Sequence, residues 1–204
     1  MKKENNIERL ILEAADVEFL EKGKNAPTTA IAKRAGVTHS MLHYYFRTKE
    51  NLFQTIFQKK VQLVGDFIHQ LVDENLPFEE TVRKLIEFHF DFIGQNPKLL
   101  NFIITEIVNN KENKRFFLEE VQPKINKVYH RLNELLIEEV LKGKIKPVKT
   151  IDLLLNIHSL NTMTFDILPI INNLKPANNS ESFDNHINER KRNNVQFVLK
   201  ALRV

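Results

Sequence analysis

The sequence predicts an all-α protein, and three observations carry that prediction. Its 204 residues include only five Gly and seven Pro, so long stretches are free of helix breakers. Apolar residues recur at spacings of three and four along most of the chain. Several Gly and Pro, among them Gly23, Gly36, Pro77 and Pro97, fall where that spacing stops, as helix punctuation should. With 42% hydrophobic residues, fifteen Phe and no Trp, a core of phenylalanine and aliphatic side chains is expected.

The first helix is expected over 7–22, with Ile7, Leu10, Ile11, Ala14 and Val17 on one apolar face and Gly23 as its stop. Pro27 suits the first turn of a second helix, which buries Ile31, Ala32 and Ala35 and ends at Gly36. A third begins at Thr38, a good N-cap residue, with the period Met41, Leu42, Tyr45. Thr48 caps a fourth that runs to Val72 through Leu52, Phe53, Ile56, Phe57, Val61, Val64, Phe67, Ile68 and Leu71. Two short helices joined by a tight Gly-containing turn describe a helix-turn-helix.

Further helices are expected over 78–95, stopped by Asn96-Pro97, then 98–109, then 115–142 with a bend at Pro123, and 150–171. The polar stretch 172–185 reads as a loop before a last helix over about 182–202. The eighth helix is apolar almost all round: Ile151, Leu153, Leu154, Leu155, Ile157, Leu160, Met163, Phe165, Ile167 and Leu168. Such a helix needs cover on two sides. Together with the stripe Ile187, Val195, Val198, Leu199 and Leu202 of the ninth, it suits either a four-helix bundle between two chains or packing within one.

Charge is unevenly placed. Residues 1–60 hold eleven Lys/Arg against seven Asp/Glu, while the other 144 residues balance at nineteen of each. Between Glu21 and Glu50 there are six basic residues and no acid, which suits either a polyanion or a solvated basic face. The absence of cysteine excludes disulfides, Cys-ligated zinc and a thiol nucleophile, and fits a reducing cytoplasm. A charged N-terminus with no apolar segment after it predicts no signal peptide, and no apolar run is long enough for a membrane span.

His39 and His43 have the i, i+4 spacing of a helical zinc pair, but no glutamate lies between them and no cysteine could complete a site, so no metal is expected. Val37, Leu42 and Phe46 supply the buried side of the third helix. That leaves His39, Ser40, His43 and Tyr44 facing outward in a basic setting, as contacts to phosphates and base edges require.

Within residues 11–52 stand Ala14-Ala15, Phe19, Gly23, Ile31-Ala32, Ala35-Gly36-Val37, Leu42, Tyr45-Phe46, Lys49-Glu50 and Leu52. In this pattern the stretch resembles the N-terminal DNA-binding domain of the TetR family of bacterial regulators. The resemblance implies a DNA-binding domain over 1–48 and a helical ligand-sensing and dimerisation domain over 49–204. It also implies that Thr38, His39, Ser40, Met41, His43, Tyr44 and Tyr45 lie on the recognition helix, that Lys49 grips the phosphate backbone, and that Thr28 does so from the second helix. Three positions depart from the family pattern: 23–31 is one residue short, which leaves Thr28 against Thr29 open, His43 replaces a frequent tyrosine, and Ser40 a frequent glycine.

The expected function is a cytoplasmic transcriptional regulator, a repressor released by a small apolar or amphipathic ligand. Its partners would be a palindromic DNA operator and a second copy of the chain, paired through 150–171 and 182–202, with no cofactor and no membrane. Thirteen of the fifteen Phe lie beyond residue 48. An aromatic pocket with polar anchors is therefore expected around His89, Phe92, Phe102, Tyr129, His158, Asn161, Thr162 and Phe165. An activator, an architectural DNA binder and a protein adaptor are the alternatives. No nucleophile, base and orienter can be assembled from the sequence, so no enzyme is expected.

Overall fold

The computed structural model describes residues 2–71, 76–174 and 183–204. Among them are nine α-helices: α1 Lys2–Lys22, α2 Thr28–Ala35, α3 His39–Phe46, α4 Lys49–Gln70, α5 Phe78–Gln95, α6 Leu99–Asn109, α7 Lys111–Leu141, α8 Thr150–Leu174 and α9 Phe183–Leu202. Among the described residues, extended pairing is limited to one antiparallel bridge, Ile145 to Arg203. No helix among the described residues is long and apolar enough to cross a membrane.

Most ends fall where the sequence punctuates them. Gly36 caps α2 at φ 67°, a left-handed turn that costs glycine nothing, and the Val37 N–H closes it on the Ala32 carbonyl at 3.0 Å. Thr38 and Thr48 accept from the backbone N–H of Met41 and Asn51, at 3.2 and 3.1 Å. Pro27 stands at the N-cap of α2 rather than inside its first turn. Helix α7 starts four residues earlier than expected, because the Asn110 side chain accepts from the Glu112 and Asn113 N–H groups. It continues through Pro123 as one helix. Of the expected loop, 172–174 and 183–185 are helical, and 175–182 lies outside the described residues, as does Val72.

The chain packs into two compact units: residues 1–65 with 98–121, and 66–97 with 122–204. In the first, Phe19, Phe53 and Phe57 are fully enclosed, with Phe53 edge-on to Phe19 at 4.9 Å and Phe102 against both Phe53 and Phe57. The apolar face of α1 runs through Ile11, Ala14, Ala15 and Phe19. Val17, expected on that face, is exposed. Its place in the helical period goes to Glu18, whose buried carboxylate accepts from Lys22 at 2.7 Å and from Arg34 at 2.9 Å. These bonds hold that carboxyl below its usual range and tie α1 to α2.

The core of the second unit joins Phe67 of α4 and Leu71 just after it, Phe78, Val82, Leu85 and Ile86 of α5, Leu132, Leu135 and Leu136 of α7, Leu153 and Ile157 of α8, and Val195, Val198, Leu199 and Leu202 of α9. Four residues of the α9 stripe, Val195, Val198, Leu199 and Leu202, are thus core, and Ile187 is half-buried. What α8 and α9 leave outside is Ile151, Leu155, Met163, Ile167, Ile170 and Phe197. Gly94 permits a close approach here, since a Cβ on it would meet the Phe165 ring at 2.9 Å.

Candidate nucleic-acid interface

The first unit presents α3 on a support that the sequence dictates locally. Leu42 and Phe46, four apart, bury one side of α3, while Ile31, Ala32 and Ala35 bury one side of α2. The Gly36 turn sets the angle between them, and the Arg34–Glu18 bond fixes α2 on α1.

His39, Ser40, His43 and Tyr44 are exposed, Tyr44 by 66% of its surface. Thr38 is exposed at the N-cap, and Lys49 is half-buried at the start of α4. Met41 and Tyr45 are half-buried, so they form the flanks of the helix rather than its crest, with Tyr44 edge-on to Tyr45 at 5.3 Å. Thr28 is brought to α3 directly: its Oγ1 lies 3.0 Å from His39 Nε2, linking the N-terminal ends of α2 and α3.

Sequence reasoning missed Arg47. It is the only non-glycine among the described residues with positive φ, at 59°. The Thr48 N–H reaches back to the Phe46 carbonyl at 2.6 Å, making a strained three-residue turn between α3 and α4. This turn sets where Lys49 and the N–H groups opening α4 stand relative to α3. Only the backbone dihedral reveals it, since arginine gives no signal for a left-handed conformation.

Charge on this side is one-signed. The bordering acids are engaged: Glu18 by Lys22 and Arg34, Glu21 by Lys98 at 3.4 Å, and Glu50 by Lys24 at 3.5 Å. Among the described residues no ion pair engages Lys33, Arg47 or Lys49, so their charge is available to a polyanion. No group of three or more metal-ligating side chains lies together among the described residues.

The expected ligand-pocket residues are only partly brought together. His158 Nδ1 lies 3.3 Å from His89 Nε2, and Asn161 Nδ2 lies 3.1 Å from His89 Nδ1. Phe92 stacks on Phe67 at 4.0 Å, Phe165 packs on Phe90 at 4.8 Å, and Tyr129 sits edge-on to His130. Thr162 Oγ1 is buried without a hydrogen-bond partner. Phe102 belongs to the first unit and is core there. That unit also contains a cleft of about 640 Å³ between the end of α1 and α6, lined among others by Lys24, Asn101, Thr105 and Glu106. Lys24 stands 3.5 Å from Glu106, whose carboxylate also accepts from Asn113 at 3.1 Å.

Comparison with known proteins identifies this arrangement. Residues 11–56 match the model of bacterial regulatory proteins of the tetR family. The fatty acid metabolism regulator protein of Bacillus subtilis is 27% identical over 144 residues, 67% of this chain and 69% of that protein. The nucleoid occlusion factor SlmA of Vibrio vulnificus is 25% identical over 154 residues, 72% of this chain and 76% of that protein. The structure of a proposed fatty acid metabolism regulator of Clostridium perfringens has the same fold, with a TM-score of 0.61 at 20% identity over 96% of this chain and 99% of that one. The matched residues build most of α1, the α2–α3 turn and the start of α4, so this N-terminal stretch is a helix-turn-helix domain like that of bacterial regulatory proteins of the tetR family, and the chain as a whole shares its fold with such a regulator.

Proposed function

We propose that this protein is a sequence-specific repressor acting in the bacterial cytoplasm, binding a palindromic operator as a homodimer and leaving it when a small amphipathic ligand binds. The observation that carries the DNA-binding reading is the outward face of α3, where His39, Ser40, His43 and Tyr44 stand exposed in a stretch without acids. In this reading these four residues, with Met41 and Tyr45 at the flanks, enter the major groove, and Thr28, Thr38 and Lys49 grip phosphates on either side. Residues 1–48 then do the reading, and 49–204 sense and dimerise.

One helix-turn-helix reads too few base pairs, and pairing two across successive major grooves, about 34 Å apart, requires a dimer. The apolar residues that α8 and α9 expose, Ile151, Leu155, Met163, Ile167, Ile170 and Phe197, support those two helices as the dimer surface. The names of the Bacillus and Clostridium relatives make an acyl-chain compound the first ligand class to test.

The test is anisotropy of the full chain on DNA upstream of its own gene, with random DNA as competitor. A short palindrome bound over random DNA and released by an acyl compound supports the reading. Binding that is indifferent to sequence, in a genome-wide selection of bound fragments as well, supports an architectural role instead. Specific binding that raises transcription makes the protein an activator.

A further inference from the structure

The second unit contains a chain of polar side chains, buried at its asparagines and half-buried at its histidines, whose hydrogen bonds have one allowed direction. Asn194 Nδ2 donates to Asn161 Oδ1 at 2.9 Å, and Asn161 Nδ2 donates to the Ile86 carbonyl at 2.9 Å. Reversing the Asn161 amide would set oxygen against that carbonyl oxygen, so its orientation is fixed. The second Asn161 N–H therefore points at His89 Nδ1, 3.1 Å away, and that nitrogen must accept. Neutral His89 then carries its proton on Nε2 and donates to His158 Nδ1 at 3.3 Å. His158 accepts there and carries its own proton on Nε2.

A proton added to either ring breaks this order. On His89 it would stand at Nδ1 against the Asn161 N–H; on His158 it would stand at Nδ1 against the His89 N–H. The same assignment excludes a shared metal, because His89 Nε2 has no free lone pair to offer. Asn161 and Asn194 are enclosed, and Phe67 of α4 covers His89 with ring centres 6.3 Å apart.

We propose that His89, His158, Asn161 and Asn194 form a latch joining α5, α8 and α9 that closes only while both imidazoles are neutral, so that acid opens it. This device stands whether or not the chain dimerises. The electrostatics agree: burial, then the neighbouring His158, pushes His89 down to about 4, and burial lowers His158. Asp66 and His69 of α4, Glu87 and Asp91 of α5, Arg131 of α7, Asp152 and Asp166 of α8, and Lys191 of α9 do not contribute to either shift. Lys191 is closed on Asp91 at 2.8 Å.

A base lowered by folding takes up protons on unfolding. The stability it lends is complete above the ordinary histidine pKa and is lost as pH falls from there toward the folded value.

The experiment is ¹⁵N–¹H imidazole correlation spectroscopy of the full chain from pH 7.5 to 5, with urea unfolding at the same pH values. Both rings should carry hydrogen on Nε2, His89 should remain neutral at pH 5.5, and the folding constant should fall by up to about tenfold per pH unit per histidine below about 6.5. The variant His89→Gln with His158→Asn keeps an amide donor and acceptor in the same order without a titrating group, and should flatten that fall. Rings protonated on Nδ1, or titrating at the ordinary value, overturn the proposal from the native protein alone. An equally steep fall in a folded double variant overturns it as well.

Discussion

Two histidine pairs occupy opposite environments in this chain. His39 and His43 stand one turn apart on α3, exposed and bordered by engaged acids, whereas His89 and His158 face each other between helices with an asparagine chain behind them. On the outside, a proton adds charge to a surface suited to phosphate. On the inside, the same proton opposes a fixed N–H. Environment, not residue type, sets the sign of the pH response, so acid should favour DNA contact in the first unit while loosening the helices of the second.

The largest expected effect comes from breaking the inner pair's support. Asn161→Leu leaves the Asn194 amide and His89 Nδ1 without the partner they have here and removes the second donor on the Ile86 carbonyl, and should cost about 3 kcal/mol in urea unfolding. The outer surface should behave oppositely. Tyr44→Ala should shift stability by less than about 0.5 kcal/mol yet weaken specific operator binding by about 1–3 kcal/mol in anisotropy titrations. Lys49→Ala should weaken binding to all sequences alike and make the log–log salt slope shallower by about 0.9 per site.

Smaller still is Arg47→Gly. Glycine tolerates the 59° φ, so the variant should gain about 0.5–1 kcal/mol in thermal or urea unfolding, and a loss would show that the Arg47 side chain contributes more than its backbone costs. The smallest effect is the pH dependence of binding. Affinity at fixed salt should rise modestly from pH 8 to 6, and His39→Asn with His43→Gln should abolish the rise. A flat wild-type profile would break the comparison on its outer side.

Sequence alone made much of this legible, for local reasons. Gly36, Thr38 and Thr48 act within a turn of where they stand, so α2, α3 and the start of α4 could be placed, and Leu42 with Phe46 determined which side of α3 faces out. Long-range partners were not legible. Glu18 displaces Val17 from the buried face because Arg34, sixteen residues on, meets its charge. Asn194 enters the inner network through Asn161, thirty-three residues away, and no period announces such a bond. Phe102, expected in one pocket with His89 and His158, instead packs in the first unit and lines the cleft there, since an apolar face does not say which neighbours will cover it.

The first unit is assembled from two stretches, 1–65 and 98–121, with the chain leaving and returning between them. Phe53 and Phe57 from the first stretch close on Phe102 from the second, and Phe57 also meets Phe116 at 6.5 Å. A fragment ending at residue 65 would thus leave Phe53 and Phe57 without the aromatic partners that cover them. Outward residues such as Tyr44 carry no such tie and can change without disturbing the enclosed phenylalanines that hold both stretches together.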